Sequence, residues 1–179
     1  MIRYKPAGYP DSTIYFNNVT LFQPSIAREI SGLIVFQEYQ ISVAAYNQQG
    51  VGVYSSWIWV RTKEGRPTAS PINLTAKALS STSVVLSWLP PNPQYINGIS
   101  QGHHIDATIW LNGSIQSSRF TVASNTSNML GLQTMLLNQL YKYVEYQLTV
   151  LCFTSAGDGP HSSPVRVRTL EDGMSVFYS

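Results

Sequence analysis

Charge is scarce in this sequence: Asp, Glu, Lys and Arg together make 11 % of 179 residues, against about 25 % in an average soluble domain. The eleven Lys and Arg form no run, and the formal net charge is only +2. A thin, scattered positive charge gives no footprint for nucleic acid or an anionic membrane surface. No stretch approaches the roughly 18 consecutive apolar residues of a membrane-spanning helix, and "MIRYKPAGYPD" lacks the apolar centre of a signal peptide. The fragment is therefore expected to carry neither element. There is one cysteine, Cys152, which raises the question of an external partner or a reactive thiol.

Apolar residues, at 44 %, suffice for real cores. The surface role falls to Ser, Thr, Asn and Gln. Four Asn-x-Ser/Thr sequons occur, at Asn18, Asn73, Asn112 and Asn125, where chance gives about two. They are candidate N-glycosylation sites. Asn112 is expected at a hairpin tip, Asn125 in a loop, and Asn73 between inward Ile72 and Leu74, so that these three face solvent; Asn18 is read in the same way.

The chain repeats itself. "YQISVAAYNQQGVG" from Tyr39 returns 107 residues later as "YQLTVLCFTSAGDG" from Tyr146, and at that offset residues 33–64 match 140–171 at 13 of 32 positions. The segment is duplicated. Its internal period is two, which places Tyr39, Ile41, Val43 and Ala45 on one face of a strand, and Tyr146, Leu148, Val150 and Cys152 likewise. Cys152 is accordingly expected to be a shielded core residue at the position of Ala45. Short alternating strands separated by polar turns, without helical periodicity, predict all-β antiparallel sandwiches of seven strands, the first truncated. "HHIDATIWLNGSIQSSRFTVA" predicts a hairpin turning on Asn112-Gly113, and "TSNMLGL" a short fifth strand. The expected organisation is a partial domain over 1–63 without its first two strands, a linker over 64–71, a complete domain over 72–171 and a tail over 172–179.

Several functional signatures are incomplete. Gly157-Asp158-Gly159 has no preceding arginine for integrin recognition, and in "YSSWIWV" Trp57 and Trp59 lack the serines of the cytokine-receptor motif. Trp57 and Trp59 are nonetheless expected to point outward, with Ile58 and Val60 inward, and to form either a contact surface or a cover for neighbouring chain. His103 and His104 are adjacent on a strand and point to opposite faces, which argues against a shared metal. No carboxylate pair sits with a histidine and a nucleophile in a recognisable motif. The expectation is no enzyme, no metal and no cofactor.

Trp88 closing the second strand of the complete copy, Pro90-Pro91, Asn97-Gly98, Leu140 six residues before Tyr146, then Gly157, Gly159 and Thr169, together resemble a fibronectin type III domain. The first copy carries the second half of the pattern from Leu33 through Tyr39 to Thr62. Trp88 suits the space between two sheets, and Tyr39 and Tyr146 sit where a sandwich places its tyrosine corner. "QYINGISQGHHI" and "VLCFTSAGDGPHSSPVRVRTLED" resemble, more narrowly, repeats of the sidekick family of immunoglobulin-superfamily adhesion molecules. His103 departs from that pattern, where a tyrosine is usual. The resemblance implies a non-catalytic piece of a single-pass membrane protein's ectodomain at the extracellular face of the plasma membrane, with membrane association only through absent segments. It would act as a spacer in cell–cell adhesion, with protein partners and homophilic recognition residing in domains outside the fragment. A spacer of this kind is expected to be monomeric. The alternative is an ectodomain segment of a receptor tyrosine phosphatase or kinase.

Overall fold

The structure is a computed structural model describing residues 1–17, 27–124 and 130–173. It divides into two compact units, Met1–Lys63 and Glu64–Ser179. Among the described residues the only helical segments are two three-residue 3₁₀ turns.

The first unit contains β1 (Ile2–Pro6), β2 (Tyr15–Asn17), β3 (Glu38–Val43), the two-residue strands β4 (Tyr46–Asn47) and β5 (Gly50–Val51), and β6 (Ile58–Arg61). Its sheet runs in the order β2-β1-β3-β6, all antiparallel. Directly opposed residues share a face, so the register places Ile2, Tyr4, Tyr39, Ile41, Val43, Ile58 and Val60 together. That face is almost wholly apolar. Among the described residues no second sheet covers it, the only further strands here being the β4-β5 pair.

The second unit contains β7 (Ile72–Ala78), β8 (Val84–Leu89), β9 (Gly102–Leu111), β10 (Ser114–Ala123), β11 (Gln133–Leu137), β12 (Glu145–Thr154), the short β13 (Gly157–Asp158) and β14 (Val165–Arg168). One sheet is β11-β8-β7; the other is β10-β9-β12, with β14 and β13 also paired to β12. Leu74, Val84, Leu86, Trp88 and Leu137 from the first sheet pack with Ile105, Ala107, Ile109, Tyr146, Leu148 and Val150 from the second. Strict alternation is visible in β8, where Val84, Leu86 and Trp88 are fully buried. Two half-apolar sheets that bury those faces against each other make a sandwich.

Comparison of the two units corrects several readings. Ile58 and Val60 lie on the same face as Tyr39, but they are 62 % and 43 % exposed, and Val43 and Ala45 are exposed as well. A period of two identifies the core-directed face and cannot say whether a second layer covers it. The fifth strand is Gln133–Leu137, which begins just after "TSNMLGL": Leu130 and Leu132 are exposed whereas Leu137 is buried. Ile72 is likewise exposed, because a register irregularity between Ile72 and Thr75 breaks the alternation that would have put it on the same side as buried Leu74.

Residues 64–71 belong to the second unit, and their first residues are bound to its loops. The Glu64 carboxylate accepts hydrogen bonds from the backbone N–H of Ile99 (3.1 Å) and of Ser155 (3.2 Å), and from the Ser155 hydroxyl. Thr154 Oγ1 donates to the Gly65 carbonyl (2.8 Å), and Arg66 Nε to that of Ala156 (3.2 Å). This close approach explains two glycines: a Cβ at Gly98 would stand 3.0 Å from the Glu64 side chain, and one at Gly159 only 2.7 Å from Pro67 Cβ.

Candidate functional site

In both units the residues that repeat at the 107-residue offset tie loops to strands. The Tyr146 hydroxyl accepts from the Tyr141 N–H at 2.8 Å, and that of Tyr39 from the Ile34 N–H at 2.9 Å. Both rings are buried, while Leu140 is buried and Leu33 half-buried nearby. Thr169 Oγ1 accepts from Val144 N–H (3.0 Å) and donates to the Tyr141 carbonyl (2.7 Å); Thr62 Oγ1 does the same with Gln37 N–H (2.9 Å) and the Ile34 carbonyl (2.7 Å). Ser162 Oγ accepts from Val150 N–H (3.0 Å) and Ser55 Oγ from Val43 N–H (3.1 Å). The repeated Ser and Thr thus satisfy backbone groups that sheet pairing leaves open. They hold structure and contain no reactive arrangement.

Trp88 is fully buried, with His103 edge-on against it at 5.4 Å and 67°. Cys152 is 1 % exposed, its Sγ 3.5 Å from Ser100 Oγ. Burial pushes the thiol above its ordinary range. Its sequence equivalent Ala45 is exposed, because β3 stops at Val43 whereas β12 continues to Thr154. The folded chain is expected to react with a thiol reagent at least tenfold more slowly than after denaturation in urea. Equal rates, read by mass spectrometry, would place Cys152 at the surface.

The two tryptophans proposed as a contact surface are not equivalent. Trp59 is 62 % exposed and opposes Gln40 on the face away from Tyr39. Trp57 is half-buried: the Arg3 guanidinium lies 4.4 Å from its ring centre and 3.9 Å from that of Tyr54, with Lys5 Nζ 5.9 Å from Trp57. Trp57 is engaged by the cations of β1, contacts of about 1–2 kcal/mol when partly desolvated. Of these two, Trp59 is the exposed indole.

The most connected polar group escaped the sequence reading. Arg119 on β10 forks onto Asp106 of β9 (Nε to Oδ1 2.7 Å, Nη2 to Oδ2 2.9 Å) and donates through Nη1 to Asp158 Oδ2 at 2.7 Å. His161 Nε2 lies 2.8 Å from Asp106 Oδ2. His104 stacks on Phe153 at 4.1 Å, with Nδ1 2.9 Å from Thr121 Oγ1 and Nε2 3.7 Å from Asp158. The hydrogen bond from Arg119 holds the Asp106 carboxyl below the usual carboxylate range, with smaller help from His161, and the two carboxylates raise the Arg119 pKa in return. Bidentate pairing of this kind fixes geometry. A sequence signal existed: Asp106 and Arg119 each lie six residues from the Asn112-Gly113 turn, which makes them directly opposed. The cluster is saturated by its own partners, and among the described residues no group of three or more His, Cys, Asp or Glu is arranged to hold a metal.

Two sequons are described. Asn112 (φ 51°) and Gly113 (φ 77°) form the β9-β10 turn, and Asn73 (φ 55°) stands at the β7 irregularity; both asparagines are exposed. Asn18 and Asn125 lie outside the described residues. No helix among the described residues is long and apolar enough to cross a membrane.

Comparison with known proteins places these features. The chain is 40 % identical over 96 % of its length to Protein sidekick of Drosophila melanogaster, 38 % over 96 % to Protein sidekick-1 of Gallus gallus, and 40 % over 96 % to Protein sidekick-2 of Mus musculus. It spans only 8 % of each of these relatives. Among solved structures, the crystal structure of the chicken CNTN1 FN1-FN3 domains superposes over 95 % of this chain and 53 % of that one (TM-score 0.54, 23 % identity). The solution structure of the third fibronectin III domain of human KIAA0343 protein covers 69 % of this chain and 99 % of that one (TM-score 0.54, 22 % identity). These two share the fold. The fibronectin type III domain model matches residues 67–168, the span of the complete sandwich with its buried Trp88 and Tyr146, and the chain belongs to the fibronectin type III family.

Proposed function

We propose that this chain is a non-catalytic ectodomain segment of a sidekick-like cell-surface adhesion protein, in which it spaces and supports recognition domains located elsewhere in the longer molecule. The observation that carries the reading is continuous similarity to sidekick proteins through both units, over 96 % of the chain. The chemistry agrees: the repeated Ser162 and Thr169 bind backbone, and the charged cluster is occupied by its own members. Partners are proteins, met homophilically through other domains; nucleic acid has no basic surface to meet, and membrane attachment belongs to other segments. Exposed Asn73 and Asn112 suit glycosylation on the extracellular face of the plasma membrane.

In this reading residues 1–63 are a partial fibronectin type III domain without its first two strands, 64–71 are the linker to the complete domain over 72–171, and 172–179 are a tail. The uncovered apolar face around Ile41, Ile58 and Val60 supports the first assignment. The test is an exchange in Drosophila sidekick, replacing its matching stretch either by this chain or by two unrelated fibronectin type III domains. Cell aggregation is expected to survive both exchanges. Loss with the unrelated pair, at equal surface expression, would show a specific recognition role and end the spacer reading.

A further inference from the structure

The duplicated stretch ends on a glutamate in both copies: Arg61-Thr62-Lys63-Glu64 returns as Arg168-Thr169-Leu170-Glu171. Glu171 is exposed, whereas Glu64 is half-buried. Glu64 Oε1 takes the Ile99 N–H, from the loop between β8 and β9, and Oε2 takes the N–H and hydroxyl of Ser155 in the β12-β13 turn, so one carboxylate bridges two loops of the second unit. The Ser155 hydroxyl, and next the Ile99 N–H, hold the Glu64 carboxyl below the usual carboxylate range, which keeps it an anion at neutral pH. The residues that follow close over the same two loops. The Gly65 N–H donates to the Asn97 carbonyl (2.8 Å), Asn97 Nδ2 to the Arg66 carbonyl (2.9 Å) and the Thr68 N–H to the Tyr95 carbonyl (2.8 Å), while Pro67 and Pro71 are buried. One residue before Glu64, the Lys63 carbonyl accepts from the Phe36 N–H at 3.1 Å, within the first unit.

We propose that Glu64 is a clasp that fixes the expected linker as an extension of the second domain and confines the chain's freedom between the units to the Lys63–Glu64 junction. A linker whose backbone groups face water samples many conformations, and ordering each residue costs about 1–2 kcal/mol. Here the backbone groups of Gly65, Arg66 and Thr68 are met by the domain, and Pro67 and Pro71 have φ restricted in advance, which lowers that cost. Closure depends on Glu64 because its two oxygens serve different loops: a neutral amide has one acceptor oxygen, and alanine has none. Hydrogen bonds to an ionised acceptor are also about twice as strong as neutral ones. The glycines at 98 and 159 complete the arrangement, since side chains there would meet Glu64 and Pro67. A free coil over 64–71 would span about 15 Å of slack chain. In the spacer reading, on which this consequence alone rests, the clasp removes that slack from the stalk.

The test follows backbone order in the whole chain by nitrogen-15 relaxation. In the parent, the amides of Gly65, Arg66 and Thr68 are expected at order parameters of about 0.85, equal to those of β8 and β12. In Glu64→Ala they are expected to fall below about 0.6 while β8 and β12 stay unchanged. Glu64→Gln, which keeps one acceptor oxygen, is expected to lie between the two. Gly98→Ala reaches the clasp from the other side: its Cβ would stand 3.0 Å from the Glu64 carboxyl carbon, so it is expected to loosen the same amides with Glu64 itself intact. Hydrogen exchange supplies a second readout, the Gly65 amide exchanging at least tenfold faster in Glu64→Ala than in the parent. Mobile 65–68 amides in the parent, or unaltered ones in Glu64→Ala, would overturn the proposal. Either result leaves the spacer reading standing, to be decided by the exchange in Drosophila sidekick.

Discussion

Acidification from pH 7 to pH 4 is expected to remove about 3 kcal/mol of the second unit's stability through His103 alone, and His103→Phe is expected to abolish that loss. The imidazole is 5 % exposed, set against Trp88, and its Nε2 and the Trp88 Nε1 are both buried without a hydrogen-bond partner. Desolvation, with a smaller contribution from neighbouring His104, lowers the pKa of His103 from 6.5 to about 4. A depressed histidine pKa means that the unfolded chain takes up the proton first. The stability is therefore fully present above pH 6.5 and falls progressively as the pH drops to about 4. At 1.36 kcal/mol for each pKa unit, the gap amounts to about 3 kcal/mol. Hydrogen exchange of β8 and β12 amides reads this unit separately from the other. Subtracting the His103→Phe profile from the parent cancels the titrating groups that do not interact with His103. A difference that stays constant between pH 4 and pH 7 would show that His103 carries no penalty on protonation. Tyrosine is the instructive second variant: a cavity of about 20 Å³ beside residue 103, lined in part by Ser100, Ser124 and Gln133, offers polar partners for a hydroxyl.

The second large effect comes from using the repeat as its own control. Leu148→Ala is expected to cost 2–5 kcal/mol, because Leu148 is wholly buried between two sheets and the deletion leaves a cavity. Ile41→Ala, the same position in the first copy, is expected to cost about 1–2 kcal/mol less in this chain, since that side chain is only partly buried. If the uncovered face is completed in the longer protein, the cost at Ile41 should rise there to match that at Leu148. Equal costs in the isolated chain, measured by urea unfolding of each unit, would mean that the face around Ile41 is already covered.

These cases show what the sequence made legible. The hairpin on Asn112-Gly113, the alternation in β8 and β12 and the duplication were all local patterns, and local geometry follows local chemistry. The position of β11 was not legible, because leucines at 130, 132, 136 and 137 leave the alternating phase undecided until a partner sheet selects Leu137. Exposure of Ile58 and Val60 depends on there being no second sheet over that face among the described residues, which no pattern within β6 encodes. The Arg119 cluster joins residues separated by up to 55 positions; only its Asp106 pair could have been read from the turn. Trp57 looked like a surface indole because the cations over its ring, Arg3 and Lys5, are distant in sequence.

The hydroxyl ties at either end of β14 have a mechanical consequence. The strand itself pairs with β12 at only four positions, yet beyond one end Ser162 bonds Val150 through both N–H and Oγ, and beyond the other Thr169 bonds Val144 in the same way. Tension drawn along the chain at Leu170 would load these contacts in shear, so that they share the force instead of opening one after another. A strand too short to resist a pull by its ladder alone is lengthened, in effect, by two side-chain rivets.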